Sequence, residues 1–213
     1  MALAFNETKG KAKKGLVEAY EYTNGDNKVR LFGGVTARYV YWIKGTNNKN
    51  FPMECLSFDR DKEAFTNVET DCVAEFYPDL KCSWAYLVLC IDSRDGKIKV
   101  LNLKKKLFEQ ILATAEDLGD PTDPDKGWGV CFKKTKTGPH VFNVEYTLQP
   151  LKCKVEPLTE EQKQMIAESP TIDEAVPRAT PEGQRKFLLE LQAKMSQGGD
   201  AMDSNVEEVF DIQ

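Results

Sequence analysis

One histidine, His140, stands in the whole chain. A histidine-rich metal site is therefore excluded, and Cys-His or Ser-His chemistry has a single candidate base. The six cysteines, at 55, 72, 82, 90, 131 and 153, include no C-x-x-C pair. Without a secretory leader they read as reduced, buried thiols, and no metal or other cofactor is expected. There is no P-loop, no G-x-G-x-x-G and no G-x-S-x-G, which removes the commonest nucleotide-hydrolysing, dinucleotide-binding and esterase signatures and leaves a non-enzyme as the expectation. Asp117, Asp120, Asp123 and Asp125 lack the spacing and the terminal Glu of an EF-hand, and Pro121 and Pro124 beside them read as a plain turn. No stretch approaches the roughly 20 apolar residues of a membrane span. The start, MALAFNETKGKAKKG, has its lysines after a very short apolar run, the reverse of a signal peptide, so a soluble cytoplasmic protein is expected.

What the chain does have is charge, unevenly spread. Residues 1–155 hold 24 Lys/Arg against 21 Asp/Glu, whereas residues 156–213 hold 5 against 13. Lys9, Lys11, Lys13 and Lys14 among Gly and Ala make residues 1–15 a flexible basic arm. At the other end, Gly198-Gly199 opens an acidic disordered tail, 198–213, with Asp200, Asp203, Glu207, Glu208 and Asp211. Phe210 and three aliphatic residues are set among these acids, and a purely solvating tail has no use for them; a protein partner does.

Between the ends, residues 16–155 read as a core and 156–197 as C-terminal helices. VTARYVYWIK (35–44) is β-branched and aromatic and reads as a strand, with Gly33-Gly34 before it as turn chemistry. Residues 45–83 read as a polar insertion, with a short helix within 62–76. WAYLVLCID (84–92) alternates, placing Trp84 and Tyr86 opposite an aliphatic face of Ala85, Leu87, Leu89 and Ile91 that is assigned to the core. SRDGK carries a hairpin Asp-Gly pair, IKVLNL (98–103) returns, and the three- and four-residue spacing of Leu107, Phe108, Ile111 and Leu112 predicts an amphipathic helix over 104–118. WGVCFKKTK and HVFNVEYTLQ then form a last hairpin. Thr159 and Gln162 make a capping box, and Thr180-Pro181 opens a further helix. The expected fold is mainly β with flanking helices: an OB-fold, a five-stranded Greek-key barrel with a helix between strands 3 and 4.

Phosphate affinity needs Lys or Arg, and sequence-tolerant binding of single strands adds exposed rings for base stacking. Both are interleaved here. Arg38, Tyr39, Tyr41 and Trp42 lie on the first strand; Trp84 and Tyr86 on the second; Lys97, Lys99, Lys104, Lys105 and Lys106 on the hairpin and helix start; Lys133, Lys134 and Lys136 near the last turn. These are the candidate nucleic-acid-binding residues. Lysine clusters serve phosphates rather than sugars, which places nucleic acid above carbohydrate. An RNA-binding cold-shock-like module shares the same strands and rings, and a protein-interaction adaptor working through its C-terminal helices shares the same tail.

Residues 76–112, FYPDLKCSWAYLVLCIDSRDGKIKVLNLKKKLFEQIL, and 128–154, WGVCFKKTKTGPHVFNVEYTLQPLKCK, resemble the single-stranded DNA-binding proteins of tailed bacteriophages, the T4-like helix-destabilising class. The resemblance implies a non-enzymatic OB-fold that coats single-stranded DNA in replication, recombination and repair in the host cytoplasm. It further implies self-association along DNA through the basic arm, and contacts with replication and recombination proteins through the tail, Asp200 to Asp211. The T4-like pattern holds zinc through a histidine and three cysteines that include a C-x-x-C pair. This chain lacks that pair, and no zinc is expected.

Overall fold

The computed structural model describes residues 17–45, 50–66, 71–139 and 143–196. The basic arm, the acidic tail with its Asp200, Asp203, Glu207, Glu208, Phe210 and Asp211, and His140 lie outside the described residues. The fold is organised by one strand, β1, Gly25–Lys44. It begins well before Val35 because Gly33-Gly34 is a bulge and not a turn. The register against β5 (Ser83–Asp92) slips between Phe32 and Thr36, and Gly33 sits at φ 70, a left-handed conformation that suits glycine.

The bend lets β1 serve several neighbours. Residues Val29 to Val40 pair with β5 on one edge; on the other, Gly25 to Arg30 pair with β7 (Gly129–Lys136) and Val40 to Lys44 with β2 (Asn50–Glu54). β6 (Ile98–Leu103) pairs with β5, and β8 (Val144–Leu148) with β7. The result is a six-stranded antiparallel sheet with the path β6-β5-β1-β7-β8 and β2 beside β1. A separate hairpin joins β3 (Phe58–Asp59) to β4 (Ala64–Phe65), and α1 is one turn, Val73–Phe76. Within the expected insertion 45–83, β2 joins the main sheet and β3-β4 forms its own hairpin, and among the described residues of 62–76 the helical turn is Val73–Phe76.

Helix α2, Lys105–Leu118, follows β6 and buries Leu107 and Ile111. Its Gln110 Oε1 accepts the Leu148 backbone N–H at 2.7 Å, so the helix spans the gap between the two ends of the sheet path. Gly119 at φ 80 receives the chain from the helix, and the turn beyond it is built on carboxylates: Asp120 Oδ1 accepts from Thr122 N, and Asp123 Oδ1 from Asp125 N and Lys126 N. Buried Arg30 reaches into this turn, donating to the carbonyls of Pro121, Asp123 and, at 2.7 Å, Glu156.

The β5 face assignment needs correction, since both faces are buried. Tyr86, Val88 and Cys90 belong to the main core with Val29, Leu31, Leu101, Trp128 and Phe132. Leu87, Leu89 and Ile91 form a second layer with Phe32 and Val100, under Leu158, Met165, Ile166, Ile172 and Ala175. The covering pieces are α3 (Glu160–Ala167) and α4 (Ile172–Ala175), each opened by a complete capping box at Thr159 and Thr171. α5, Pro181–Ser196, closes a third cluster, setting Leu188 and Leu191 against Tyr41, Ile43, Met53 and Cys55. Its Gln184, 1% exposed, accepts from Cys72 N and donates to the Glu54 carbonyl, fastening the helix to the β2 and α1 segments. The sequence does not show these helices as a lid, because a strand with one aliphatic face reads the same whether that face meets a second sheet or a helix.

Candidate nucleic-acid interface

Where β1 and β5 run together, Tyr39 stands opposite Trp84. Cross-strand neighbours on one face pack their side chains, and the two ring centroids are 4.9 Å apart. Two residues on along β5, Tyr86 continues the row, 4.9 Å from Trp84, and meets Phe108 of α2 at 4.1 Å. Tyr86 is buried at 8% exposure, so it supports the row from below. Tyr39, Trp84 and Phe108 are half-buried and form its rim. Lys105, in the first turn of α2, places its ammonium 5.9 Å from the centre of the Trp84 ring.

From Lys105 the surface continues into an open cleft of about 710 Å³ lined by Lys104, Lys105, Lys106, Thr137, Val144, Glu145 and Tyr146. The α2 N-terminus opens here with no side-chain cap and no acidic residue in its first turn, so its dipole is left to attract anions. Lys134 stands opposite Tyr146 in the register and Lys136 opposite Val144, which puts both on the cleft side of the last hairpin. Lys134 Nζ donates to the Tyr22 carbonyl at 3.0 Å, and the Tyr22 and Tyr146 rings meet at 4.8 Å. The Lys104 ammonium is held below the ordinary lysine range, first by burial and then by the charges of Lys134 and Arg38. Cations crowded in this way are relieved by an anion between them.

The other candidates are buried or lie outside the rim and the cleft surface. Tyr41 is buried in the α5 cluster, where its hydroxyl donates to Asp71 Oδ2 at 2.5 Å. Arg38 is 4% exposed, and burial lowers its pKa to about 10, with Glu54 opposing that shift. Trp42, half-buried, has the parity of Arg38 and so faces away from Tyr39. Lys99 is committed to Asp92 and Asp95, both at 2.8 Å, and Lys97 is exposed on the same turn. Lys99 and Lys104 stand near opposite ends of β6, about 16 Å apart at the rise of a strand. The helix start and the last hairpin therefore meet, while the β5-β6 turn stands apart from them. Lys133 is exposed with the opposite parity to Lys134. Sequence reading missed Tyr22 and Tyr146. Tyr146 carried a readable signal, since its two-residue offset from Val144 puts it on one face of a strand that faces basic β7.

No family model and no solved structure matches the chain. Over 196 residues it is 31% identical to the "Probable ssDNA-binding protein" of Escherichia phage T5, with 83% of this chain and 73% of that protein covered. At this identity and coverage the chain belongs to the family of that protein, the tailed-phage single-stranded DNA-binding proteins that its sequence resembles.

Proposed function

We propose that this chain binds single-stranded DNA without sequence preference, coating and protecting it, as a binding protein and not an enzyme. The observation that carries the reading is the continuity of the Tyr39-Trp84 rim with the lysine cleft, joined where Lys105 stands over Trp84. A single strand offers both partners at once, bases for the rings and phosphates for the lysines. A duplex hides its base faces and cannot use the rim. The name of the T5 relative points the same way. The sheet path β6-β5-β1-β7-β8, with α2 following β6 and preceding β7 along the chain, supports an OB-fold barrel as the scaffold. In this reading the protein acts in the host cytoplasm during phage DNA replication, recombination and repair. The basic arm supports self-association along DNA, and the tail recruits replication and recombination proteins.

The test is a tryptophan fluorescence titration with a poly-dT oligomer, a matched duplex and a matched RNA, at low and near-physiological salt. Salt-sensitive quenching by the DNA single strand above the other two is the expected result. No change with any of them, confirmed by gel shift, would overturn the reading.

The opposite charge balances of residues 1–155 and 156–213 motivate a further expectation. The tail competes with DNA for the lysine cleft. Deleting residues 198–213 will raise affinity several-fold, most of all at low salt where the competition is least screened. Equal affinities for the full and shortened chains at low salt would remove the competition.

A further inference from the structure

The row of rings does not end at Tyr39. Phe65 on β4 packs against Tyr39 at 4.9 Å and against Phe58 at 5.3 Å, yet 51% of it is exposed. Its hairpin is short, pairing Phe58 with Phe65 and Asp59 with Ala64. The turn is nevertheless fixed. Asp59 Oδ1 accepts from the backbone N–H groups of Asp61 and Lys62, both at 3.0 Å, and Thr66 N donates to the Ser57 carbonyl at 2.9 Å. Glu63 passes the chain through φ 47, a conformation that residues with a β-carbon seldom adopt. Such a turn holds one side chain in one place, and that side chain is the large exposed ring.

A ring whose only task was to close the core would be covered, as Phe58 beneath it is at 1% exposure. Phe65 instead adds open aromatic surface to the same rim that Trp84 forms, joined to it through Tyr39. We propose that Phe65 is a base-stacking residue. A strand whose phosphates lie in the lysine cleft crosses Trp84 and sets a further base on Phe65, and the β3-β4 hairpin is the platform that ends the interface. The inference rests on the single-strand reading above and adds a residue to it.

The test uses the full chain and a fluorescently labelled dT oligomer, followed by anisotropy. Phe65→Leu keeps an apolar cover on Tyr39 and Phe58 but removes the aromatic face; Phe65→Tyr keeps the face. The leucine variant will bind roughly five- to hundredfold more weakly, the span of one lost base stack, and the tyrosine variant will bind like the parent. Because no charge is lost, the dependence of affinity on salt will be unchanged. A leucine variant that binds within about twofold of the parent, where one stack is worth fivefold or more, would remove Phe65 from the interface and leave the single-strand reading standing. A parent chain that binds no oligomer would overturn both, and its own titration tells the two failures apart.

Discussion

Changing Lys104, Lys105 and Lys106 together to alanine will weaken binding of a single-stranded oligomer by roughly a hundredfold at about 0.1 M salt. The magnitude follows from counterion release. Each phosphate neutralised on a single strand contributes about 0.7 to the slope of log affinity against log salt, so three lost contacts lower that slope by about 2. At about 0.1 M salt the same change in slope corresponds to about two decades of affinity. The fold will survive the change. The one ion pair lost among the described residues is Lys105 with Glu109 at 3.9 Å, an exposed i,i+4 contact worth a few tenths of a kcal/mol, and alanine is the best of helix formers. The measurement is affinity at four or five salt concentrations. A variant with the parent's slope would mean that the lysines of the α2 start do not touch phosphate, whatever its affinity at one salt. The same series on Lys97→Ala is the internal contrast, because that residue lies on the β5-β6 turn, away from the cleft.

The strands most legible in the sequence are those whose signal is local. The Asp-Gly hairpin between β5 and β6, the helical spacing of Leu107 and Ile111, and the capping box at Thr159 each involve residues a few positions apart, and each is present. The start of β1 was not legible, because Gly33-Gly34 has the same composition whether it turns a chain or bulges a strand. The candidate site divides along the same line. Lys104 to Lys106 are adjacent in sequence and remain together in the structure. Lys99 looks equivalent on paper, yet its neighbours in space are Asp92, in pairing strand β5, and Asp95, in the turn, and these claim its charge. Tyr41 differs from Tyr39 by one step of the strand pattern that kept both on one face. What separates them is α5, contributed by residues more than a hundred positions later, which buries the first and spares the second.

Asp92→Asn will cost about 3 kcal/mol of folding stability at neutral pH, and the loss will shrink as pH falls. Asp92 is 0% exposed. It accepts from Arg94 Nη2 at 2.7 Å, from Arg94 Nε at 2.9 Å and from Lys99 Nζ at 2.8 Å, while Arg94 also lies over the Tyr20 ring at 4.7 Å. Burial by itself would raise the carboxyl pKa, but the hydrogen bonds from Arg94 and Lys99 outweigh it and hold the group far below the usual carboxylate range. A group so depressed contributes its stability above its unfolded pKa, about 4, and loses it as pH falls through that value toward the folded one. Asparagine fills the same space without the charge, leaving Lys99 in a site where its side chain is 12% exposed, with Asp95 as its remaining carboxylate. Removing one partner of a buried ion pair costs about 3 to 5 kcal/mol, and the retained Asp95 contact puts this case at the lower end. Urea unfolding of parent and variant at about pH 7 and about pH 3 reads both parts of the expectation, a wide gap at the first and a narrower one at the second. A gap that stays constant between the two would assign the loss to packing or to the hydrogen bonds, since these do not titrate. The cluster clamps the β5-β6 turn to the N-terminal segment, where Arg94 Nη2 donates to the Glu21 carbonyl at 3.0 Å. That segment leads directly into Tyr22, whose carbonyl holds Lys134 at the cleft. A loosened clamp therefore reaches the interface, and the asparagine variant will bind single strands more weakly at temperatures where it is still folded.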